Sequence, residues 1–260
     1  MLFDTHCHIY DEQYKESIDE IISKCLSFDV GLMMVIADNI NHSRICDDLS
    51  KKYDCIYSAV GVHPEEVDTD ELSSLEQTLT DLVNSNNKIK AIGEIGLDYY
   101  WKNDEETKTK QKEYFIKQIE IANKLDLPII IHARDAVQDC IEILKNHPCK
   151  NKGVFHCFSG SVEQAEIIIK MGYFIGLDGP VTYKNAKTPK EVAKIVPLDL
   201  LVVETDSPYL TPVPHRGEIN YPYYVREVIK EIALLREMSP KELEDVTYVN
   251  GKRLYKIWKI

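Results

Sequence analysis

The chain opens with a short apolar run that ends in two histidines one residue apart, Leu2-Phe3-Asp4-Thr5-His6-Cys7-His8. In an extended strand residues i and i+2 share a face, so His6 and His8 project together while Cys7 turns away. Two neutral imidazoles aimed at one point make half of a metal site, although two surface histidines on a frayed terminus would look the same. The rest of the chain decides. His63, Glu94, Asp98, His132, His156, Glu204 and Asp206 each fall in or at the end of an apolar run. Burying an unpaired charge or imidazole there is costly, and a metal ion is one partner that removes the cost. Nitrogen and oxygen donors without thiolates suit a borderline or hard divalent ion. Five or more of them exceed what one tetrahedral ion takes, so two ions sharing one carboxylate is the economical arrangement.

The runs that carry these residues recur at regular intervals. Segments 2–6, 31–37, 56–63, 90–98, 128–133, 153–158, 173–179 and 200–206 are apolar, rich in β-formers and bounded by turn signals. Several are continuously apolar rather than alternating, as expected of parallel strands covered on both faces. Between them, segments 17–28, 43–51, 71–85, 105–125, 135–145, 162–171 and 189–195 have helical spacing. Phe115, Ile119, Ala122 and Leu125, for instance, recur every three or four positions and mark one buried stripe. After the eighth run a Pro-rich loop, 211–222, leads to helical segments at 223–236 and 239–255. The last opens on Ser239-Pro240-Lys241-Glu242, an N-cap serine, a proline at the first helical position and a glutamate at the third.

Strict alternation of strand and helix calls for a parallel sheet. Eight strands with eight or nine helices predict an α/β chain forming a single (β/α)8 TIM barrel over residues 1–260. An open doubly wound sheet is the alternative, but the chain has neither GxGxxG nor a GxxxxGK loop, with which that fold commonly announces itself. In a barrel the chemistry sits at the C-terminal strand ends. There the expected strands place His6 and His8, His63, Glu94 and Asp98, His132, His156, and finally Glu204 and Asp206.

Composition sets limits on partners. Apolar residues make up 44% of the chain and charged residues 28%, a globular balance with ample material for a core. No basic segment precedes an apolar stretch at the N-terminus, and no run approaches the roughly 18 apolar residues of a membrane span. The expectation is a cytoplasmic protein without a membrane partner. The seven cysteines are scattered and never form a CxxC pair, which points to reduced thiols. Cys7 and Cys157 adjoin histidines, but alternation sends both to the opposite face, into the core. A net charge of -12 argues against a wide basic track on duplex backbone, though not against a pocket in which metal ions handle one phosphate.

Five segments taken together also resemble a known family. His6-Cys7-His8 after Asp4-Thr5, Gly93-Glu94-Ile95-Gly96-Leu97-Asp98, Ile131-His132-Ala133-Arg134, His156-Cys157-Phe158-Ser159-Gly160 and Glu204-Thr205-Asp206-Ser207-Pro208 resemble, in order and spacing, the TatD family of metal-dependent hydrolases. The resemblance spans nearly the whole chain and implies a TIM-barrel deoxyribonuclease or related hydrolase. It implies two divalent metal positions, His6, His8, Glu94 and Asp206 around one and Glu94, His132 and His156 around the other, with Glu94 bridging. Magnesium, manganese, zinc and nickel all suit such ligands. The segment Arg216-Gly217-Glu218-Ile219-Asn220-Tyr221-Pro222 resembles the family's RGKxNxP loop, with Glu218 where a lysine is frequent.

The expected reaction is hydrolysis of a phosphodiester by metal-activated water. Asp206 is a candidate base for that water, or a ligand only. His63 is a candidate phosphate contact or a structural cap; Arg134 holds phosphate or pairs with Asp135 or another carboxylate. Arg216 and Asn220 close over a terminal nucleotide or form an ordinary loop turn. Tyr99, Tyr100 and Trp101 stack a base or cap the barrel. The expected substrate is a single-stranded DNA 3′ end, cut by a 3′–5′ exonuclease whose polarity rests on the resemblance alone. The competing class is a metal-dependent deacylase or amidohydrolase, such as one acting on D-aminoacyl-tRNA. Related barrels often bridge their metals with a carboxylated lysine on strand four, where this chain has Glu94.

Overall fold

In a computed structural model, which describes residues 1–69, 71–101 and 103–258, eight strands form one sheet in sequential order with every pairing parallel. They are β1 (Leu2–Cys7), β2 (Val30–Ile36), β3 (Ile56–Val60), β4 (Ile89–Asp98), β5 (Ile129–Arg134), β6 (Gly153–Phe155), β7 (Phe174–Leu177) and β8 (Leu201–Val203). The intervening helices are α1 (Ile18–Ser27), α2 (Ile40–Lys52), α3 (Leu72–Ser85), α4 (Glu105–Leu125), α5 (Val137–Asn146), α6 (Val162–Lys170) and α7 (Lys187–Ile195), followed after β8 by α8 (Val225–Leu235) and α9 (Pro240–Leu254). The seam between β8 and β1 closes just beyond β8. There the Asp206 N–H donates to the His6 carbonyl at 3.0 Å and the His8 N–H to the Ser207 carbonyl at 2.8 Å. The expected TIM barrel is the observed one, and no described helix is long and apolar enough to cross a membrane.

Local chemistry sets the boundaries. Ser17 with Glu20, Ser161 with Gln164 and Ser239 with Glu242 form capping boxes that start α1, α6 and α9. β6 and β8 are shorter than the apolar runs that announce them, because Cys157 and Asp206 lie in the left-handed backbone region, at φ 42° and 53°. There the chain leaves the ladder and turns across the barrel mouth.

Every strand contributes to the barrel interior: Phe3, Met34, Ile36, Ala59, Ala91, Ile130, Val154, Phe174 and Val202 form one buried cluster. Leu254, Tyr255 and Ile257 seal its lower end, where the Tyr255 hydroxyl donates to the Thr5 carbonyl at 3.0 Å. Fully burying side chains of this kind stabilises the fold by about 1.5–3 kcal/mol each. The helices cover the outer faces of the strands. On α4, Phe115, Ile119 and Ala122 are buried as their spacing requires, but two glutamines one heptad apart are buried beside them. Gln118 brackets the Val62 peptide (2.8 and 3.0 Å) and Gln111 the Asp98 peptide (3.0 Å each), so α4 grips the chain just where it reaches the mouth.

Candidate metal centre

The polar side chains stand in layers above the apolar floor. Alternation carries Ile130 to His132 and Arg134, Val154 to His156, Phe174 to Gly176 and Asp178, and Val202 to Glu204 and Asp206. In β1 and β4 simple alternation from the floor residues Phe3 and Ala91 would point the histidine pair and Glu94 outward. Register shifts between Asp4 and Cys7 and between Ile92 and Ile95 correct this and turn His6, His8 and Glu94 inward.

Glu94, nearly fully buried, lies at the centre. Its Oε2 is 3.3 Å from His6 Nε2 and 4.0 Å from His8 Nε2. Asp206 Oδ1 lies 3.5 Å from the first nitrogen and 3.4 Å from the second, and the two nitrogens are 3.2 Å apart. Two ligands bound at about 2.0–2.1 Å to one tetrahedral ion sit roughly 3.3 Å apart, so this donor set fits a shared cation. The other carboxylate oxygen, Oε1, faces a separate group: His156 Nε2 at 2.5 Å, His132 Nδ1 at 2.7 Å and His63 Nε2 at 3.6 Å.

Hydrogen bonds on the far side of each ring decide which nitrogen offers a lone pair. His8 Nδ1 donates to the Ile36 carbonyl at 2.9 Å and His132 Nε2 to Asp98 Oδ2 at 2.9 Å, which frees His8 Nε2 and His132 Nδ1 as ligands. His63 is the opposite case. Its Nδ1 accepts the Glu65 N–H at 3.2 Å, so its Nε2 carries a proton and faces the centre as a donor. It is thus both the cap of a short turn, Pro64–Glu66, and a group pointed at the site.

The electrostatics of the cluster without a cation divide the rings differently. Burial opposes ionisation of Glu94, but His156, His63 and His6 outweigh it and hold the carboxyl well below the usual range. Burial, with His156 nearby, pushes His6 down to about 4; burial and His132 push His63 down to about 3, so both are neutral near pH 7. For His8 burial works the same way, yet Asp206 overrides it and raises the ring to about 9. Against burial, Asp98 and Glu94 raise His132 to about 10. A cation in the cluster takes the place of such protons, so its binding releases them.

The six residues His6, His8, Glu94, His132, His156 and Asp206 therefore meet in one place, while the expected substrate contacts divide. Arg134 is exposed at the mouth, and among the described residues no carboxylate lies within ion-pair distance of it. Arg216 stacks on Tyr183 at 4.2 Å and donates to its hydroxyl at 2.7 Å. Asn220 takes the second of its two expected roles: fully buried, its amide donates to the Thr205 and Tyr209 carbonyls at 2.8 and 2.6 Å and ties the loop to the end of β8. Cys157 is a correction. Its backbone turns left-handed at φ 42°, which breaks the alternation, and its sulfur falls within 4.8 Å of Asp178 and Asp206 carboxylate oxygens. Cys7 does pack in the outer core.

Three further residues support the site. Asp98 orients His132. Glu204, fully buried, accepts the Cys157 N–H at 2.5 Å and lies 3.7 Å from His156 Nδ1. Asp178, buried at the end of β7, has one oxygen without a hydrogen-bond partner, and burial pushes its carboxyl well above the usual range. Its parity with Phe174 and Gly176 was the available signal.

A family profile described as TatD related DNase matches residues 3–256. The metal-dependent hydrolase YabD of Bacillus subtilis, described as uncharacterized, is 42% identical over 99% of this chain and 100% of its own. YcfH of Escherichia coli K12, described in the same words, is 37% identical over 98% of this chain and 96% of its own. Among solved structures, YjjV, a TatD homologue from Escherichia coli K12, superposes with a TM-score of 0.92 at 28% identity, covering 98% of each chain.

Proposed function

Because the chain belongs to the TatD family of metal-dependent hydrolases, we propose that it hydrolyses phosphodiester bonds at the 3′ end of single-stranded DNA with two divalent cations. The observation that carries this reading is the division of Glu94, one oxygen facing His6 and His8 and the other facing His132 and His156. Two cations held there supply the Lewis acidity that lowers the pKa of water and offsets charge on a phosphoryl group.

The chain's own groups do the rest. Asp206 orients the attacking water and takes its proton. His63 donates from Nε2 to a phosphoryl oxygen, and the Arg134 guanidinium pairs with a second phosphate. These two donors support a substrate with phosphates beside the scissile bond over a small uncharged ester or amide. The free thiols fit a reducing, cytoplasmic compartment.

The test is cleavage of 3′-labelled and 5′-labelled single-stranded DNA by metal-stripped protein, with magnesium, manganese or zinc restored and Glu94→Ala as control. The expected outcome is metal-dependent release of mononucleotides from the 3′ end, absent in the variant. No cleavage by protein that binds two cations would assign it to ester or amide hydrolysis instead.

A further inference from the structure

Immediately after β4 the three consecutive aromatics part company. Tyr99 turns into the helical layer, where its hydroxyl donates to Asp139 at 2.8 Å. Tyr100 and Trp101 remain 53% and 64% exposed, with ring centroids 4.7 Å apart and planes nearly perpendicular. Core packing does not hold them. The N–H groups of both donate to Asp98 Oδ1, at 2.9 and 3.3 Å, while Asp98 Oδ2 accepts the hydrogen bond from His132 Nε2. One carboxylate thus fixes the aromatic pair and a candidate metal ligand in the same frame.

Arg134 completes the arrangement from β5. Its guanidinium lies 3.9 Å from the Tyr100 ring centroid and 5.5 Å from that of Trp101, a cation–π contact at the barrel mouth. The result is a cluster of flat, exposed π-surfaces with a guanidinium that makes no ion pair among the described residues, one hydrogen-bonded residue away from the metal centre. Flat rings beside an exposed guanidinium are what a nucleobase and its phosphate require, since stacking is indifferent to base identity and the cation meets the backbone.

We propose that Tyr100, Trp101 and Arg134 form a nucleobase platform that takes the base of the nucleotide adjoining the scissile phosphate. The proposal rests on the nuclease reading for its substrate class, and it assigns these residues to strand positioning, separate from the hydrolytic groups. Base identity matters little to such a surface; the presence of a base matters greatly.

Trp101 and Trp258 are the only tryptophans, so Trp258→Phe leaves Trp101 as the sole indole reporter. Metal-loaded protein carrying that change is titrated with tetrathymidylate made cleavage-resistant by phosphorothioate linkages, and with an abasic strand of equal length and charge. The expected result is quenching of Trp101 by the first strand and not by the second, with the dissociation constant raised about tenfold by Tyr100→Ala. In parallel, Trp101→Ala should raise KM for unmodified tetrathymidylate by about tenfold with a smaller change in kcat, and Trp101→Phe should restore it. Equal quenching by both strands, or none together with an unchanged KM, overturns the platform even if the strand is cut. Selective quenching without cleavage under any metal keeps the base-binding surface but overturns the nuclease reading and the surface's place beside a scissile phosphate.

Discussion

Nε2 of His132 lies 2.9 Å from Oδ2 of Asp98, and this contact determines which imidazole nitrogen faces Glu94. A ring released from that bond can rotate or change tautomer and present N–H to a cation. Asp98→Asn should therefore weaken the cation held by His132 and His156 by about 10–100-fold, as loss of such outer partners commonly does. Equilibrium dialysis with metal analysis reads this directly, and the expected signature is loss of one cation of two. Unchanged affinity at both positions would show that His132 is oriented by something else.

His63 looks like a ligand from its place in the cluster but acts as a donor by its hydrogen bond to Glu65. His63→Ala should keep metal stoichiometry and lower kcat by about 100-fold, the usual cost of removing one preorganised donor. A fall in metal content would identify it as a ligand after all.

Gly96 sits at φ 140°, and a Cβ built there would lie 2.0 Å from the His132 carbonyl oxygen. Gly96→Ala must push β4 away from β5 next to two site residues. It should cost at least about 1–3 kcal/mol from backbone strain alone, measurable as a lowered urea midpoint.

Asp4 is wholly buried, and burial raises its carboxyl from 3.8 to about 8, against hydrogen bonds from Thr205 and the His6 backbone. Between those values the folded chain holds a proton that the unfolded chain has released, so this group makes stability fall as pH rises from about 4 to about 8. Asp4→Asn removes the titration. In chelator, the melting temperature of Asp4→Asn relative to the parent should climb steadily across that window; a constant difference would show that Asp4 is ionised in the folded protein.

The apolar runs made the barrel legible, because buried parallel strands need continuous apolar sequence, and the interrupting histidines and carboxylates made the candidate ligands legible. Two things were not. The register shifts in β1 and β4 are backbone irregularities that leave no mark in residue types, so the inward aim of His6, His8 and Glu94 followed from local i, i+2 spacing only by bypassing the strand's own parity. Nor is alternation a safe guide beyond a strand's end. It places Asp178 with Phe174 and Gly176 beyond the end of β7 but fails at Cys157, where the backbone turns left-handed at φ 42°. Asn220 shows a different limit: a polar residue in a loop motif suggests contact with substrate, whereas here the amide satisfies carbonyls that the loop would otherwise bury unpaired.

The seam has a consequence for biosynthesis. His6 and His8 emerge from the ribosome with the first strand, but Asp206 and the two backbone bonds that close the barrel arrive only with the eighth, and the floor is sealed later still by Tyr255. A nascent chain of seven strands carries every histidine of the cluster and lacks both the last carboxylate and the enclosure that holds them together. The His6–His8 pair therefore meets its partner carboxylate only after the eighth strand has joined the first, and a chain ending before β8 has neither Asp206 nor the two backbone bonds that close the barrel.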